Sequence, residues 1–206
     1  GVSKTSATNA AFLISLSAIL TAFVEVFVNK KTLNRHLLLL SAFSVVGVYL
    51  LTYKGEFTLA LNQGDWLILT AALLRAFMVT TTKRFTEGKQ ITTLSLTALQ
   101  SLIVGIGAIV LLLMQSNTAS FAVPMELEFW WMIMYLVLFC TLFAFFVQNY
   151  AVRKTSPTKV SLLMGSEPMF GALFAFAWLG ESLNLIQCLG ALIIIASVYA
   201  ASVKKA

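Results

Sequence analysis

The sequence predicts an all-α, polytopic membrane protein, a bundle of seven transmembrane helices. Its 206 residues are 59% hydrophobic and only 11% charged, and the mean hydropathy is +0.90. No soluble domain of this size needs so much apolar surface. Seven apolar runs of about 18–24 residues can each cross a hydrocarbon core of about 30 Å. A segment that occurs twice, 150 residues apart, predicts how some of the helices are arranged.

The seven runs follow one another along the chain. Barrel strands would be short and alternating in polarity, so continuous runs of this length indicate helices. The longest connections are 54–64 and 115–128. The other connections are tight, so consecutive helices are expected to be antiparallel neighbours. The predicted spans are Ala7–Val28, Leu33–Tyr53, Asp65–Thr82, Ile91–Met114, Phe129–Ala151, Pro157–Leu179 and Leu185–Val203.

The basic residues predict the orientation of the spans. With seven spans the connections alternate sides, and only Lys4 and Lys54 fall on one side, while Arg75 lies within a span. Cytoplasmic loops carry an excess of Lys and Arg, so we expect the C-terminus in the cytoplasm and Gly1 outside. The net charge of +6 then reflects topology, and no nucleic-acid partner is predicted. The residues on the cytoplasmic side are Lys30, Lys31, Arg35, Lys83, Arg84, Lys89, Arg153, Lys154, Lys159, Lys204 and Lys205.

The repeated segment pairs residues 154–205 with residues 4–55 without a gap. KTSPT at 154–158 falls on KTSAT at 4–8, and Leu183-Asn184 falls on Leu33-Asn34. The first copy begins outside and the second begins inside, so the two helical hairpins are expected to cross the bilayer in opposite senses. Inverted repeats are typical of secondary transporters, whose related halves rock about a site near the midplane.

Three short motifs lie in the second copy. They are Glu167-Pro168, the turn Gly180-Glu181 and the helix start Gln187-Cys188-Leu189-Gly190, preceded by SPTKVSLL at 156–163. With them, residues 65–205 resemble the EamA-like family of the drug/metabolite transporter superfamily. The resemblance implies ten helices in two inverted five-helix halves, around a central cavity for small metabolites.

The chain departs from that family pattern in two respects. Residues 65–206 are expected to form a five-helix second repeat, whereas residues 1–55 match only the last two helices of a first repeat. About three spans are therefore expected to be missing before Gly1. The position of the acidic-Pro pair is Ser17-Ala18 in the first copy, so a role of Glu167 is not duplicated by the repeat.

Two ionisable residues are expected near mid-depth. Arg75 lies ten residues into its span, and so does Glu167. Each would oppose insertion by roughly 2.5–3.5 kcal/mol if isolated, and pairing or a wet cavity reduces that cost. We expect both to face one central cavity, with Arg75 contacting an anionic or zwitterionic substrate. A structural ion pair that fixes helix packing is the alternative. Pro168 is expected to kink its helix.

Other polar residues within spans complete the candidate site. Gln100 and Ser166 join Arg75 and Glu167 as candidate substrate-binding residues, although amides in spans also bond across helices as part of the packing. Glu25, near the cytoplasmic end of its span, is expected to extend toward the interface or to pair locally near Lys30.

The predicted function is transport rather than catalysis. The chain has one histidine, its two cysteines (Cys140 and Cys188) lie in apolar runs, and it has neither metal-ligand spacing nor a phosphate-binding loop. We therefore predict no enzyme activity, cofactor or metal. The prediction is a secondary transporter in the cell's inner membrane, which exports small metabolites such as amino acids. Its expected partners are the substrate and the lipid bilayer, with a homodimer left open. The alternatives are a non-transporting membrane fragment and a seven-helix receptor-like protein.

Overall fold

The computed structural model describes residues 4–5, 7–30, 32–53, 62–114, 126–180 and 182–203. Over those residues the regular elements are all helical, and seven stretches are long and apolar enough to cross a membrane. The predicted polytopic helical bundle is therefore confirmed. The helices are α1 (Ala7–Ser15), α2 (Ser17–Asn29), α3 (Arg35–Thr52), α4 (Gln63–Thr86), α5 (Thr93–Met114), α6 (Leu127–Tyr135), a π-helical segment (Leu136–Phe143), α7 (Ala144–Lys154), α8 (Pro157–Met164), α9 (Glu167–Leu179) and α10 (Leu185–Val203).

Several residues named in the sequence analysis lie outside the described residues. They are Gly1, which is expected outside the membrane, Glu181 of the Gly-Glu turn, and the basic residues Lys31, Lys54, Lys204 and Lys205. The described part of the chain forms two compact units. The first unit comprises residues 1–85 and 155–206, and the second comprises residues 86–154.

Two of the spans in the first unit are each built from two helices, and the breaks have the same register. The first span is broken between α1 and α2 and the sixth between α8 and α9, so that α2 begins at Ser17 and α9 at Glu167. Both α2 and α9 end before a residue in the left-handed conformation, Lys30 with φ 51° and Gly180 with φ 69°. These boundaries are separated by 150 residues, the same offset as the predicted sequence repeat.

The helices that follow the broken spans also start alike. The side chain of Asn34 accepts a hydrogen bond from the backbone N–H of Leu37 (3.2 Å), and that of Asn184 accepts one from Gln187 (2.8 Å). Such N-caps satisfy backbone donors that the first turn of a helix leaves unpaired. They set the starts of α3 and α10, again 150 residues apart.

Helices α3 and α10 cross closely at two glycines. A Cβ on Gly190 would lie 2.5 Å from the carbonyl oxygen of Gly47 and 2.5 Å from the backbone N of Leu51, and a Cβ on Gly47 would lie 2.8 Å from a side-chain atom of Ile194. Only glycine, which has no side chain, allows the two backbones to come this close. Such a close crossing increases van der Waals contact between helices in a membrane.

The contacts along this crossing show that α3 and α10 run antiparallel. Leu51 lies by Gly190, Gly47 lies between Gly190 and Ile194, and further along Leu37 shares a buried cluster with Ala201. The two hairpins that these helices complete therefore point in opposite directions within the first unit.

The second unit contains α5 and the long segment from α6 through α7. The π-helical segment in the middle is wider than an α-helix, and the hydroxyl of Thr141 donates to the carbonyl of Leu136, five residues earlier (3.1 Å). Most of the apolar side chains of this unit are exposed in the described chain, as expected for helices surrounded by a bilayer.

Candidate functional site

The break between α8 and α9 follows from the sequence around Pro168. Proline has no backbone N–H to donate to the carbonyl four residues earlier, and its ring crowds that carbonyl. At the break, the N–H of Ser166 donates to the carbonyl of Leu163 (3.2 Å), and the hydroxyl of Ser166 donates to the same oxygen (2.7 Å). The interruption therefore lies directly before Glu167, and Ser166 supplies two local hydrogen bonds to the carbonyl of Leu163.

The break between α1 and α2 has no proline. Leu16 leaves the α-helical pattern, and its N–H donates to the carbonyl of Leu13 (3.3 Å). The hydroxyl of Ser15 donates to the carbonyl of Phe12 (2.6 Å), as Ser166 does for Leu163. Without a proline this break was not predicted from the sequence, although Ser15 and Ser17 are polar residues within an apolar span.

A small pocket, lined by apolar side chains and by the charged pair of Arg75 and Glu167, lies between the two breaks. Its cavity volume is about 10 Å³, which is room for about one water molecule. Three lining residues come from the first broken span, four from the second and one from α4: Ile14, Ser15, Ser17, Met164, Gly165, Glu167, Pro168 and Arg75.

Arg75 and Glu167 form an ion pair at this pocket. Arg75 Nη2 lies 2.9 Å from Glu167 Oε1 and donates also toward the sulfur of Met164 at 3.5 Å. The Glu167 side chain is 57% exposed, whereas that of Arg75 is 23% exposed. The structure thus brings together the two mid-span charges, as expected, and leaves the carboxylate accessible.

The other two candidate residues have different surroundings. The Ser166 hydroxyl is engaged at the helix break. Gln100 lies in the second unit, where its side-chain oxygen accepts a hydrogen bond from Asn149 (2.7 Å) on α7. Asn149 also donates to Thr97 (3.0 Å), and Arg153 donates to Thr93 (2.8 Å). These bonds hold α5 to α7, and a substrate contact of Gln100 or Ser166 stays a prediction.

Glu25 differs from its expected place at the interface. It is buried, and its Oε2 accepts hydrogen bonds from the backbone N–H (3.1 Å) and the hydroxyl (2.6 Å) of Thr158 in the first turn of α8. The expectation of local pairing near Lys30 is therefore wrong. Because a helix N-terminus has unpaired donors and a positive dipole end, it binds a carboxylate well, and here it does so across 133 residues of sequence.

A second polar contact lies one turn along the same two helices. The hydroxyls of Thr21 on α2 and Ser161 on α8 are 2.9 Å apart, and both side chains are buried. Thr21 donates its proton to the carbonyl of Ser17 (2.6 Å), so Ser161 is the donor between the two hydroxyls. Nothing in the sequence alone linked these residues. Among the described residues, no group of three or more His, Cys, Asp or Glu side chains could hold a metal.

Comparison with known proteins decides the family. Residues 62–203 match the sequence model of the EamA-like transporter family. The chain belongs to this family. The matched region of this EamA chain contains Arg75 and Glu167, while Ile14, Ser15 and Ser17 of the pocket precede it.

Two curated relatives of this EamA chain match almost all of it. The "Uncharacterized transporter YyaM" of Bacillus subtilis (strain 168) is 27% identical over 98% of the chain and 66% of its own length. An "Uncharacterized transporter" of Archaeoglobus fulgidus is 30% identical over 98% of the chain and 68% of its own length. The chain therefore spans about two thirds of the length of these relatives.

A solved crystal structure of another protein has the same fold as this EamA chain. It superposes with a TM-score of 0.76 at 13% sequence identity, over 95% of this chain and 66% of that one. At this identity the likeness shows the fold alone, which supports the helical architecture described above.

Proposed function

We propose that this EamA-family chain acts as a secondary transporter, an exporter of small metabolites such as amino acids. The observation that carries the proposal is the pocket where two helices, broken in the same register, meet around the Arg75–Glu167 ion pair. Discontinuous helices from inverted repeats are a recurrent way to build a transport site near the midplane. Family membership and the names of the relatives support transport as the activity.

The electrostatics of the pocket favour a substrate that carries a carboxylate. Ser17 and Glu167 are the first residues of α2 and α9, so two helix N-termini with their positive dipole ends are at the pocket. Arg75 supplies a full positive charge in a guanidinium geometry that suits carboxylates. Because Glu167 is more than half exposed, a substrate carboxylate can replace it on Arg75 without first opening a buried pair.

The proposed cycle is alternating access in the cell membrane. The basic residues at the cytoplasmic ends of the spans favour a cytoplasmic C-terminus, and export is the direction implied by the family resemblance. In the described conformation the pocket has room for about one water molecule, so it must widen to admit a metabolite. The homodimer and the substrate contacts of Gln100 and Ser166 stay predictions.

The test is transport by the full-length protein reconstituted in liposomes. Counterflow with a panel of labelled amino acids and other small carboxylates should identify a substrate. Arg75→Gln is expected to lower transport at limiting substrate about 10–100-fold, because a hydrogen bond to a charged group contributes about 1.5–3 kcal/mol. Arg75→Lys should retain part of the activity, since it keeps the charge but loses the planar fork.

Arg35→Gln is the matched control, because it removes the same charge from an exposed position at the start of α3. If Arg75→Gln leaves KM and maximal rate unchanged, the ion pair is structural and Arg75 does not contact substrate. If the unmodified protein moves none of the panel under any imposed ion gradient, the non-transporting alternative is favoured.

A further inference from the structure

We propose that Glu25 is the gating residue of the cytoplasmic side, and that the opposite gate is made of small residues that pack together only in the other transport state. The proposal rests on the transport function above. It adds which side chains hold the described state and which contacts must replace them.

The first gate is a polar seam between α2 and α8. Glu25 binds the first turn of α8 through Thr158, and Thr21 bonds to Ser161 one turn further along α8. One further turn along each helix, Ser17 on α2 and Gly165 after α8 line the pocket. The seam therefore closes the pocket on the side where α2 ends and α8 begins.

That side is the one with the basic residues. Arg84 donates to the carbonyl of Val28 near the end of α2, and Lys159 donates to the carbonyl of Ser202 near the end of α10 (3.4 Å). Cations at helix C-termini complement the helix dipole, and an excess of cations marks the cytoplasmic side. The described conformation is thus closed toward the cytoplasm.

The sequence repeat identifies the contacts of the other gate. A shift of 150 residues moves Thr21 onto Gly171, Ser161 onto Ala11 and Glu25 onto Ala175. The contact that corresponds to the seam is therefore between α9 and α1. In inverted-repeat transporters the two copies exchange conformations when access alternates, so closing the outer side requires Gly171 to pack on Ala11.

The structure shows this second contact open. A Cβ on Gly171 would meet nothing within 4 Å, and Gly171 is exposed. Over the described residues, α2 packs along α8, whereas α1 and α9 do not pack on each other to a comparable extent. In the proposed second state, α9 approaches α1 closely at Gly171, and a glycine permits that contact.

The two gates are chemically unequal. The cytoplasmic gate has a buried carboxylate with two donors and a hydroxyl pair. Under the shift its counterpart pairs Ala175 with Thr8 and Gly171 with Ala11, so it has no carboxylate and no hydroxyl pair. Hydrogen bonds to a charged group are the stronger kind, so the state closed toward the cytoplasm is favoured at rest. Removing the hydrogen bonds of Glu25 should shift the population toward the state that is open toward the cytoplasm.

Disulfide cross-linking measures the two gates without any substrate. In full-length protein carrying Cys140→Ser and Cys188→Ser, because both native cysteines are free and exposed, the pair Thr21→Cys/Ser161→Cys reports the cytoplasmic gate. The side-chain oxygens of these residues are 2.9 Å apart, so the two side chains face each other, as a disulfide requires. The pair Ala11→Cys/Gly171→Cys reports the outer gate.

With Glu25 present, the cytoplasmic pair should cross-link and the outer pair should cross-link little. Glu25→Ala should change the ratio of the two cross-links about tenfold or more in favour of the outer pair. Gly171→Leu adds a side chain at a position where a Cβ meets nothing within 4 Å in the described conformation, and it should block the approach to Ala11. Added to Glu25→Ala, it should therefore restore cross-linking of the cytoplasmic pair. Gly105→Leu, where a Cβ also meets nothing within 4 Å, should not restore it.

The proposal is overturned if the outer pair never cross-links in any variant, or if Glu25→Ala leaves both cross-links unchanged. Should Glu25→Ala fail to fold, Thr158→Val removes one of the two bonds to Glu25 and should shift the ratio in the same direction. An exchange of cross-links without transport of any substrate would uphold the gates and count against the proposed transport function.

Discussion

At the residue scale, two carboxylates that lie within apolar spans have partners: Glu167 pairs with Arg75, and Glu25 accepts hydrogen bonds from Thr158. Two opposite charges at similar depth in different apolar spans each oppose insertion, so pairing them is the simplest expectation. The partner of Glu25 is partly a backbone N–H at a helix start, and every helix start offers such donors. Only the folded packing of α2 on α8 selects one of them, and the sequence carries no local sign of that packing.

Asn149 is the residue whose removal should most directly loosen the second unit. Its side-chain nitrogen donates to both Thr97 and Gln100 on α5, and the residue is 2% exposed. Asn149→Ala should destabilise the protein by about 1 kcal/mol, since hydrogen bonds between transmembrane helices are worth about 0.6–1.7 kcal/mol each. Unfolding in mixed micelles, as a function of denaturing detergent, measures this change.

Val147→Ala is the control for that substitution. Val147 lies on the same helix α7, but its side chain is 45% exposed, so the truncation removes little packing within the chain. Equal stability of the two variants would show that the bonds from Asn149 contribute nothing beyond ordinary side-chain contacts.

At the element scale, the sequence predicted all seven spans but only one of the two helix breaks. Hydropathy and length determine spans because the bilayer imposes both. Pro168 is a local signal that removes a donor, so the break before Glu167 could be anticipated. The break at Leu16 depends on Ser15 and on packing in the pocket, and the π-helical segment at Leu136–Phe143 depends on a shift in backbone bonding. Neither the break at Leu16 nor the π-helical segment can be predicted from a hydropathy profile.

The glycine crossing of α3 and α10 should be the packing feature least tolerant of substitution. Gly190→Ala places a Cβ 2.5 Å from backbone atoms of α3, so the helices must move apart. We expect a loss of about 1–3 kcal/mol, the usual effect of overpacking. Detergent unfolding, compared with unmodified protein, gives the value.

Gly107→Ala provides the comparison, because a Cβ at Gly107 meets nothing within 4 Å. Alanine also favours a helix over glycine by up to about 1 kcal/mol, so this variant should be neutral or slightly more stable. A Gly190→Ala protein as stable as Gly107→Ala would mean that α3 and α10 separate without loss, contrary to a tight crossing.

At the scale of the whole molecule, the span count and the opposite directions of the two hairpins followed from simple sequence counts. Tight connections and the alternation of basic residues are global properties that a bilayer enforces on any polytopic chain. The contents of the pocket were harder to predict. The side chains that meet there come from the first, third and sixth spans, and only tertiary packing determines which faces of these spans meet.

The opposite insertion of the two hairpins can be tested directly at their turns. Thr32 and Ser182 are equivalent under the 150-residue shift, and both are exposed. Because α3 and α10 start from these turns and run antiparallel, the turns should lie on opposite sides of the membrane.

In the Cys140→Ser/Cys188→Ser background, a membrane-impermeant thiol reagent should label Thr32→Cys only from the cytoplasmic side and Ser182→Cys only from the outside. Labelling of both from one side would contradict inverted threading, and with it the exchange of gates by which the transport site would change its access. Labelling from opposite sides, but with Ser182→Cys reached from the cytoplasm, would preserve the inverted threading and reverse the orientation that the basic residues predict.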